Sequence, residues 1–538
     1  MKQKIIYIFL LFVLSGTVYS SKAQENSKLN IFVQTNCIVS NGDYAPYWLT
    51  ALRQGIVSVE NNSGILRTGG SYKGTFDKKG DFGYNLTTDI AINNNHTSDI
   101  FVQQAFADLS WRWLTLSIGS KERFGENKTH TDVFNSSSFY GNRVNTLFPN
   151  LYALHTSQLG SGGLTYSGNS RPIPQVRLEI PHYIPFPGTN NWLHIRAHIA
   201  YGRFSDDSFQ ERHTQSNPIA RYGKNILYHS KAAFIKIGKE ERFPLTFEGG
   251  VELYSQFGGD IYTHGSGLVV SMPGKFKDYI KAFIPLSGGD DTPLDEQTNI
   301  SGNQTGSWHA ALTLHTKPVE VSLYGEHMFE DFSQLFFFEY QSNKEGKRKV
   351  IYYPWKDILL GIRITNKSSV VPFIKSLQYE YLNTYDQSGA LYHDPSDNFN
   401  EQMDGVDNYY NHGIYPGWHH WGMGMGNPLV ISPIYNRSGA MHFKSNRLKA
   451  HNVGINGTLE NILPIAYRLQ YTYSENWGTY INPLTKKAYS TSLLAEFIYA
   501  PDKSHWAASL SIGYDKSSFI GENIGAMLSI ARTFTVKD

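Results

Sequence analysis

Hydrophobic and polar residues alternate one for one along much of this chain. Leu193, Ile195, Ala197, Ile199 and Tyr201 share one parity, while His194, Arg196 and His198 hold the other. Successive side chains of a strand point to opposite faces, so such a segment has one greasy side and one polar side. Trp308, Ala310, Leu312 and Leu314 repeat the beat against His309, Thr313 and His315. Ile465, Tyr467, Leu469, Tyr471 and Tyr473 oppose Arg468, Gln470, Thr472 and Ser474. Leu245, Phe247, Val251 and Leu253 oppose Thr246, Glu248 and Glu252, and Val176, Leu178 and Ile180 oppose Arg177 and Glu179. The pattern predicts further strands over 82–93, 100–109, 111–119, 226–237, 318–328, 357–366, 371–383, 447–459, 490–499, 506–514 and 523–534. A helical period of about 3.6 residues would spread these charges around the whole cylinder, which excludes helix for them.

Two sheet architectures suit such strands. A soluble sandwich buries the apolar face and wets the other. A membrane barrel turns the apolar face to lipid and the polar face to the lumen. Strand length favours the barrel, because a tilted strand crosses a bilayer in roughly 9–11 residues. Aromatics close several apolar faces, as at Tyr201, Tyr471, Tyr473 and Trp506, which suits interfacial girdles. A last strand ending at Phe534 would close the ring near the C-terminus. The expected fold is an all-β, transmembrane antiparallel β-barrel of about sixteen to eighteen strands. Ala45 to Val57 reads as a short helical or irregular plug element, and residues 24–80 as the candidate periplasmic or plug segment of one domain spanning 24–538. Weak strand signals lie near residues 29–75.

The N-terminus changes the charge picture. Lys2 and Lys4 precede an unbroken apolar run from Ile5 to Leu14, too short to span a bilayer as a helix, and Ser21-Lys22-Ala23 offers a cleavage site. Residues 1–23 therefore read as a secretory signal peptide. That segment holds three lysines and no acids, so 48 − 3 = 45 basic residues face 46 acidic ones after cleavage. A chain so close to neutral has no electrostatic case for nucleic acid. Cys37 stands alone, which excludes an intrachain disulfide and a cysteine zinc site. The mean hydropathy of −0.37, with 35 Tyr and 31 Phe, suits strands and interfacial rings better than membrane helices.

The polar strand face carries Arg177, Glu179, Arg196, Glu248, Glu252, Glu320, Glu326 and Arg468. Acids and bases are mixed, so mutually paired charges that stiffen a lumen fit them better than a charged conduit. Arg177 and Arg196 are the lumen candidates on this face.

Long stretches without alternation run over 120–172, 205–225, 255–307, 329–356 and 384–446. In bacterial barrels long connections face outside, and loops on a rigid scaffold concentrate binding residues. The longest contains YYNHGIYPGWHHWGMGMGNPL, Tyr409 to Leu429. Its histidines do not have the spacing of a zinc motif. Neither H-E-x-x-H nor G-x-S-x-G occurs in the chain, so the expectation is no metal, no cofactor and no catalysis. Aromatic faces suit the C–H face of a sugar, and amide and imidazole groups suit its hydroxyls. Tyr409, Tyr410, Asn411, His412, Tyr415, Trp418, His419, His420 and Trp421 supply both, and are the candidate carbohydrate-binding residues. A self-packed loop whose aromatics cover the barrel mouth fits the same residues equally well. Asp290, Asp291, Asp295 and Glu296 form an acidic cluster that calcium could use, although solvated turns give the same composition.

Two stretches resemble the Wzi family, capsule-assembly proteins of Gram-negative outer membranes. One is GSGGLTYSGNSRPIPQVRLEIPHY, Gly160 to Tyr183, with its small-residue run, Arg-Pro-x-Pro and strand. The other is the Tyr409–Leu429 stretch, with its Tyr-x-His and glycine spacing. The Asn, Tyr and Lys content is similar to that of Bacteroidetes proteins. The resemblance implies a barrel of about eighteen strands with helical elements blocking its periplasmic side. It implies a non-enzymatic, lectin-like role in holding capsular or other surface polysaccharide, with outer-membrane lipid and capsule export machinery as partners. Tyr410, Asn411 and His412 fall in its loop motif, and Arg171 falls in its Arg-Pro motif, where it orders the loop. A porin-like channel for a hydrophilic solute is the alternative, and an outer-membrane hydrolase built on a Ser/His pair is a more distant one.

Overall fold

The computed structural model describes residues 27–77, 79–124, 159–284, 302–330, 338–342, 348–352, 356–368, 373–387, 390–392, 403–404, 407–459, 463–501 and 505–537. The signal segment and the acidic cluster Asp290, Asp291, Asp295 and Glu296 lie outside the described residues.

Eighteen strands form one sheet. The first nine are β1 (Lys28–Asn41), β2 (Gly64–Thr75), β3 (Phe82–Asn94), β4 (Ile100–Trp111), β5 (Leu114–Ser120), β6 (Gln175–Pro185), β7 (Leu193–Arg203), β8 (Leu227–Ile237) and β9 (Leu245–Phe257). The rest are β10 (Asn303–His315), β11 (Val319–Glu330), β12 (Ile358–Asn366), β13 (Ser376–Asn383), β14 (Leu448–Thr458), β15 (Ile465–Gly478), β16 (Pro483–Tyr499), β17 (Trp506–Ser517) and β18 (Gly521–Lys537). Each pairs antiparallel with its sequence neighbours, as β15 does with β16 from Ile465↔Tyr499 onward. The last strand returns to the first, from Lys28↔Lys537 to Asn41↔Ile524. Closure leaves none of these eighteen wall strands as an edge strand, which a lipid environment requires.

The alternation seen in the sequence maps onto the two faces of this wall. Leu469, Ile512 and Leu528 are 41%, 46% and 49% exposed, whereas Arg468, Ser511 and Ser529 beside them are buried. Apolar side chains therefore point out and polar ones in, the reverse of a soluble sandwich. The weak signals near residues 29–75 resolve into β1 and β2.

Strand parity sorts the connections by end. Those after even-numbered strands are short: 76–81, 112–113, 186–192, 238–244, 316–318, 367–375, 459–464 and 500–505. Both described termini lie at that end. Exposed Phe82, Trp111, Trp192, Phe243, Trp506 and Phe534 ring it as an interfacial girdle. All five long stretches leave the opposite end. Short turns face the periplasm and long loops the exterior, so the loop end is the outer one.

The chain between β1 and β2, residues 42–63, corrects two expectations. Its one-turn helix α1 (Tyr47–Thr50) follows Pro46, and Trp48 and Leu49 are buried inside the barrel. The candidate segment 24–80 thus contains two wall strands, and only its middle turns inward. Because β1 runs toward the loop end, this plug element enters from the outside, not from the periplasmic side that the Wzi resemblance implied. Two further helices lie in outer connections: α2 (Asp207–His213) and α3 (Phe276–Phe283). A small three-stranded sheet of Arg221–Lys224, Gly259–Thr263 and Gly267–Met272 also stands at the loop end.

Ile512 sits mid-strand on the outward face of β17. Ile512→Arg should cost about 2–4 kcal/mol if acyl chains surround it, and within about 0.5 kcal/mol if water does. Urea titration of folding into lipid vesicles distinguishes the two values.

Candidate functional site

Three separate stretches pack inside the lumen: residues 42–63, 159–174 and 407–446. They bind one another through backbone groups. Asn169 Nδ2 donates to Gly424 O at 3.0 Å, and Ser167 Oγ to Gly426 O at 2.6 Å. Trp418 Nε1 donates to Thr165 O at 2.8 Å, and the Tyr47 hydroxyl reaches Pro428 O. Gly426 is required at this junction, because a Cβ there would lie 2.4 Å from Leu164 O and 2.5 Å from the Tyr410 hydroxyl.

The wall holds this plug with buried carboxylates that accept its backbone N–H groups. Leu164 N donates to Glu326 at 2.8 Å, Ser161 N to Glu380 at 2.5 Å and Tyr47 N to Asp515 at 2.6 Å. Tyr410 N donates to Glu330 at 2.9 Å. Glu496 binds Arg53 of the plug at 2.8 Å and Arg468 of β15 at 3.2 Å, with all three side chains at most 2% exposed. Charge-assisted hydrogen bonds of this kind are about twice as strong as neutral ones. They hold strained backbone in place. Tyr410 (φ 67°) and Trp421 (φ 55°) adopt left-handed conformations that cost about 1–2 kcal/mol each in a bulky residue. Both N–H groups end on carboxylates, Trp421 on Asp206 at 2.8 Å.

Seven of the nine candidate carbohydrate residues lie in the core of this plug and do not face outward. Tyr409, Tyr410, Tyr415, Trp418, His419 and His420 are all at most 2% exposed, and Asn411 is buried as well. Apart from the His419 ring, their polar atoms pair internally. The Tyr409 hydroxyl donates to Asp357 at 2.9 Å, and the Tyr415 hydroxyl to Gly258 O at 3.3 Å. Asn411 exchanges two hydrogen bonds with the backbone of Phe443, and His420 Nδ1 meets Arg171 O at 2.8 Å. No aromatic face of these buried residues is open to a sugar ring. His412 and Trp421 are half-exposed at the rim, and His412 Nδ1 accepts from Ile414 N at 3.1 Å. The self-packed loop anticipated as the other arrangement is the one adopted.

His419 is set apart within the core. Neither of its ring nitrogens has a hydrogen-bond partner among the described residues. Burial pushes its pKa down to about 4, against the charge of Asp206 and with that of His420 and His213. Among the described residues no group of three or more His, Cys, Asp or Glu is arranged for a metal ion.

Arg171 lies between two rings, 3.5 Å from the centroid of Phe101 and 4.3 Å from that of Trp421. Its Nη2 donates to Thr97 Oγ1 and meets His96 Nδ1, both at 2.9 Å. Burial lowers the guanidinium to about 9, and burial together with Arg171 keeps the His96 imidazole well below its usual range. A neutral His96 is then an acceptor for Arg171, so the contact ties the 95–99 turn to the plug. Arg177 pairs with Glu179 at 2.6 Å, and Arg196 lies 4.3 Å over Phe234, both inside the lumen.

A serine–histidine–carboxylate string does exist on the wall. Ser307 Oγ is 2.9 Å from His309 Nε2, and His309 Nδ1 is 3.5 Å from Glu326. The plug covers it, since Thr165 donates to Ser307 at 2.9 Å and Ser307 is 0% exposed. As folded, no substrate carbonyl reaches that hydroxyl.

The small outer sheet carries residues that the sequence pattern did not single out. Tyr222 and Tyr262 are cross-strand partners with stacked rings 5.5 Å apart, and His264 stacks on Tyr222 at 4.9 Å. Lys224 lies 5.4 Å over Tyr262, and Asp260 accepts from Ser271 at 2.5 Å on the same face. These residues lie in the stretches 205–225 and 255–307, where alternation is too short to mark a strand.

No family model matches this chain, and no curated protein matches it in sequence. Solved structures do match in shape. Wzi of Escherichia coli, an outer membrane protein involved in group 1 capsule assembly and described as a carbohydrate-binding β-barrel, is 11% identical. The match covers 94% of this chain and 84% of that one, with a TM-score of 0.51. OccK5 of Pseudomonas aeruginosa is 8% identical over 96% of this chain and 100% of its own, with a TM-score of 0.46. OccAB4 of Acinetobacter baumannii is 9% identical over 95% and 99%, with a TM-score of 0.45. With the closed wall and its outward apolar band, the likeness to Wzi makes this chain an outer-membrane β-barrel.

Glu496→Ala removes the carboxylate shared by two buried guanidinium groups and should cost about 3–5 kcal/mol. Urea unfolding of the vesicle-inserted barrel, followed by gel mobility, measures it. His419 gives a pH signature. Its folded form prefers the neutral ring, so its contribution is complete above about pH 6.5 and is lost as pH falls toward about 4. Asp357, pushed up to about 7 chiefly by burial, works in the opposite sense. It is common to parent and variant and drops out of their difference. On acidification through that window, His419→Phe should lose on the order of 3 kcal/mol less than the parent protein. Limited proteolysis of residues 407–446 against pH reads the difference.

Proposed function

We propose that this barrel is a non-catalytic, lectin-like protein of the outer membrane. It binds capsular or other surface polysaccharide at its loop-side face and supports assembly and attachment of that polymer. The filled lumen is the observation that favours this over solute passage. Three chain segments occupy it, and wall carboxylates fix them from several sides. A barrel blocked in this way has its outer face left for function. The barrel fold of Wzi, itself described as carbohydrate-binding, is consistent with the same role.

The polymer contacts are assigned to exposed groups and not to the plug core. Half-exposed Tyr262 and exposed His264, both stacked against buried Tyr222 and flanked by Lys224 and Asp260, offer an apolar platform with a donor and an acceptor beside it. Half-exposed His412 and Trp421 extend the surface across the rim. Sugar C–H faces stack on such rings while the charged groups meet hydroxyls.

Purified protein on an array of bacterial surface polysaccharides should retain at least one of them. Tyr262→Ala should weaken that retention about tenfold, the equivalent of about 1.4 kcal/mol for one lost ring contact. Planar-bilayer recordings should show little open current. A steady current with no glycan retained would overturn the proposal in favour of a solute channel.

A further inference from the structure

Helix α3 does not lie inside the barrel or above it. It packs on the outside of the wall. Tyr201 and His229 are register partners on the outward face of β7 and β8. The Tyr201 hydroxyl donates to Tyr279 O at 2.9 Å, and the two rings are 5.3 Å apart. The Phe283 ring is 6.0 Å from His229, its carbonyl accepts from Lys231, and Phe257 of β9 meets Tyr279 at 5.1 Å. His229 is 0% exposed beneath the helix, while Ile235 and Ile237, lower on the same face of β8, are open.

The helix has three faces. Asp278 and Ala282 are buried, and Asp278 caps the start by accepting from Lys275 N at 2.7 Å. Phe276, Ile280 and Phe283, at helical spacing, are 81%, 45% and 42% exposed, and Ile284 beside them is 50% exposed. Lys277 and Lys281 form the third stripe, with exposed Lys275 at the entry. At about 100° per residue the apolar stripe, the lysine stripe and the buried stripe lie about 120° apart. A water-surrounded helix gains nothing by exposing three large apolar side chains in a row.

We propose that α3 is an interfacial helix that seats in the outer leaflet beside the barrel. Phe276, Ile280 and Phe283 enter the acyl chains, and Lys277 and Lys281 meet phosphate-bearing headgroups. The occupant follows from continuity: the apolar stripe extends the lipid-facing band of β8 and β9, at the level where those strands reach the outer interface. This inference rests on the membrane location of the barrel and is independent of what its outer face binds.

The test uses nitroxide labels in a Cys37→Ser background, in vesicles where a label at Ile235→Cys reads as lipid-exposed. A label at Ile280→Cys should be more accessible to oxygen than to an aqueous nickel chelate, and a label at Lys277→Cys should show the reverse order. Nickel accessibility dominating at both positions would overturn the proposal. The label at position 280 should also move deeper when phosphatidic acid is added to phosphatidylcholine vesicles. That shift should vanish when Lys277→Gln and Lys281→Gln are introduced. A shift of the same size without the two lysines would overturn the headgroup assignment.

Discussion

Carboxylates buried on the inner wall, each receiving a backbone N–H of the plug, are the constraint on which the rest of this molecule depends. Glu326, Glu330, Glu380 and Asp515 come from three different strands and hold three distant parts of the chain. A buried carboxylate without partners is several kcal/mol unfavourable, so wall and plug each need the other. The plug amides in turn would be unsatisfied donors if the loops swung out of place. This mutual satisfaction converts what would be flexible outer loops into the solid interior of a barrel.

The same constraint explains why the protein looks inverted. Its polar residues are inside because they have one another, and its apolar residues are outside because acyl chains are there. The Arg67–Asp89–Glu122 cluster and the Arg53–Glu496–Arg468 cluster both lie enclosed inside the barrel. Mixed acids and bases on alternating strand positions are what such a filled lumen needs, whereas an open conduit would be expected to segregate them. The stacked rings of Tyr222, Tyr262 and His264 stand on a sheet beyond the wall, and α3 leans on its outside.

Much of the architecture was legible from residue order alone. Strands such as β12, expected at 357–366 and found at Ile358–Asn366, show themselves because a two-residue period is a local property. The outward face of each could be named for the same reason. In β1 the signal was weak because inward-facing Phe32 and Ile38 break the alternation that Leu29, Ile31 and Val33 begin. The inward packing of most of the Tyr409–Trp421 stretch was not legible for a different reason. Tyr, Trp, His and Asn serve a sugar and a packed plug equally well, since both need rings to stack and polar atoms to pair.

By itself the sequence determined the period, the closed wall, the membrane-facing side and the end from which the long loops leave, all properties set within a strand and its turns. Only the tertiary structure decided where those loops go. Tyr410 meets Glu330 across eighty residues, and Ser167 meets Gly426 across more than two hundred and fifty. No local pattern encodes such partners, because a backbone amide looks the same whether it faces water or a buried carboxylate. The destination of the Tyr409–Trp421 segment was therefore fixed by the barrel that surrounds it.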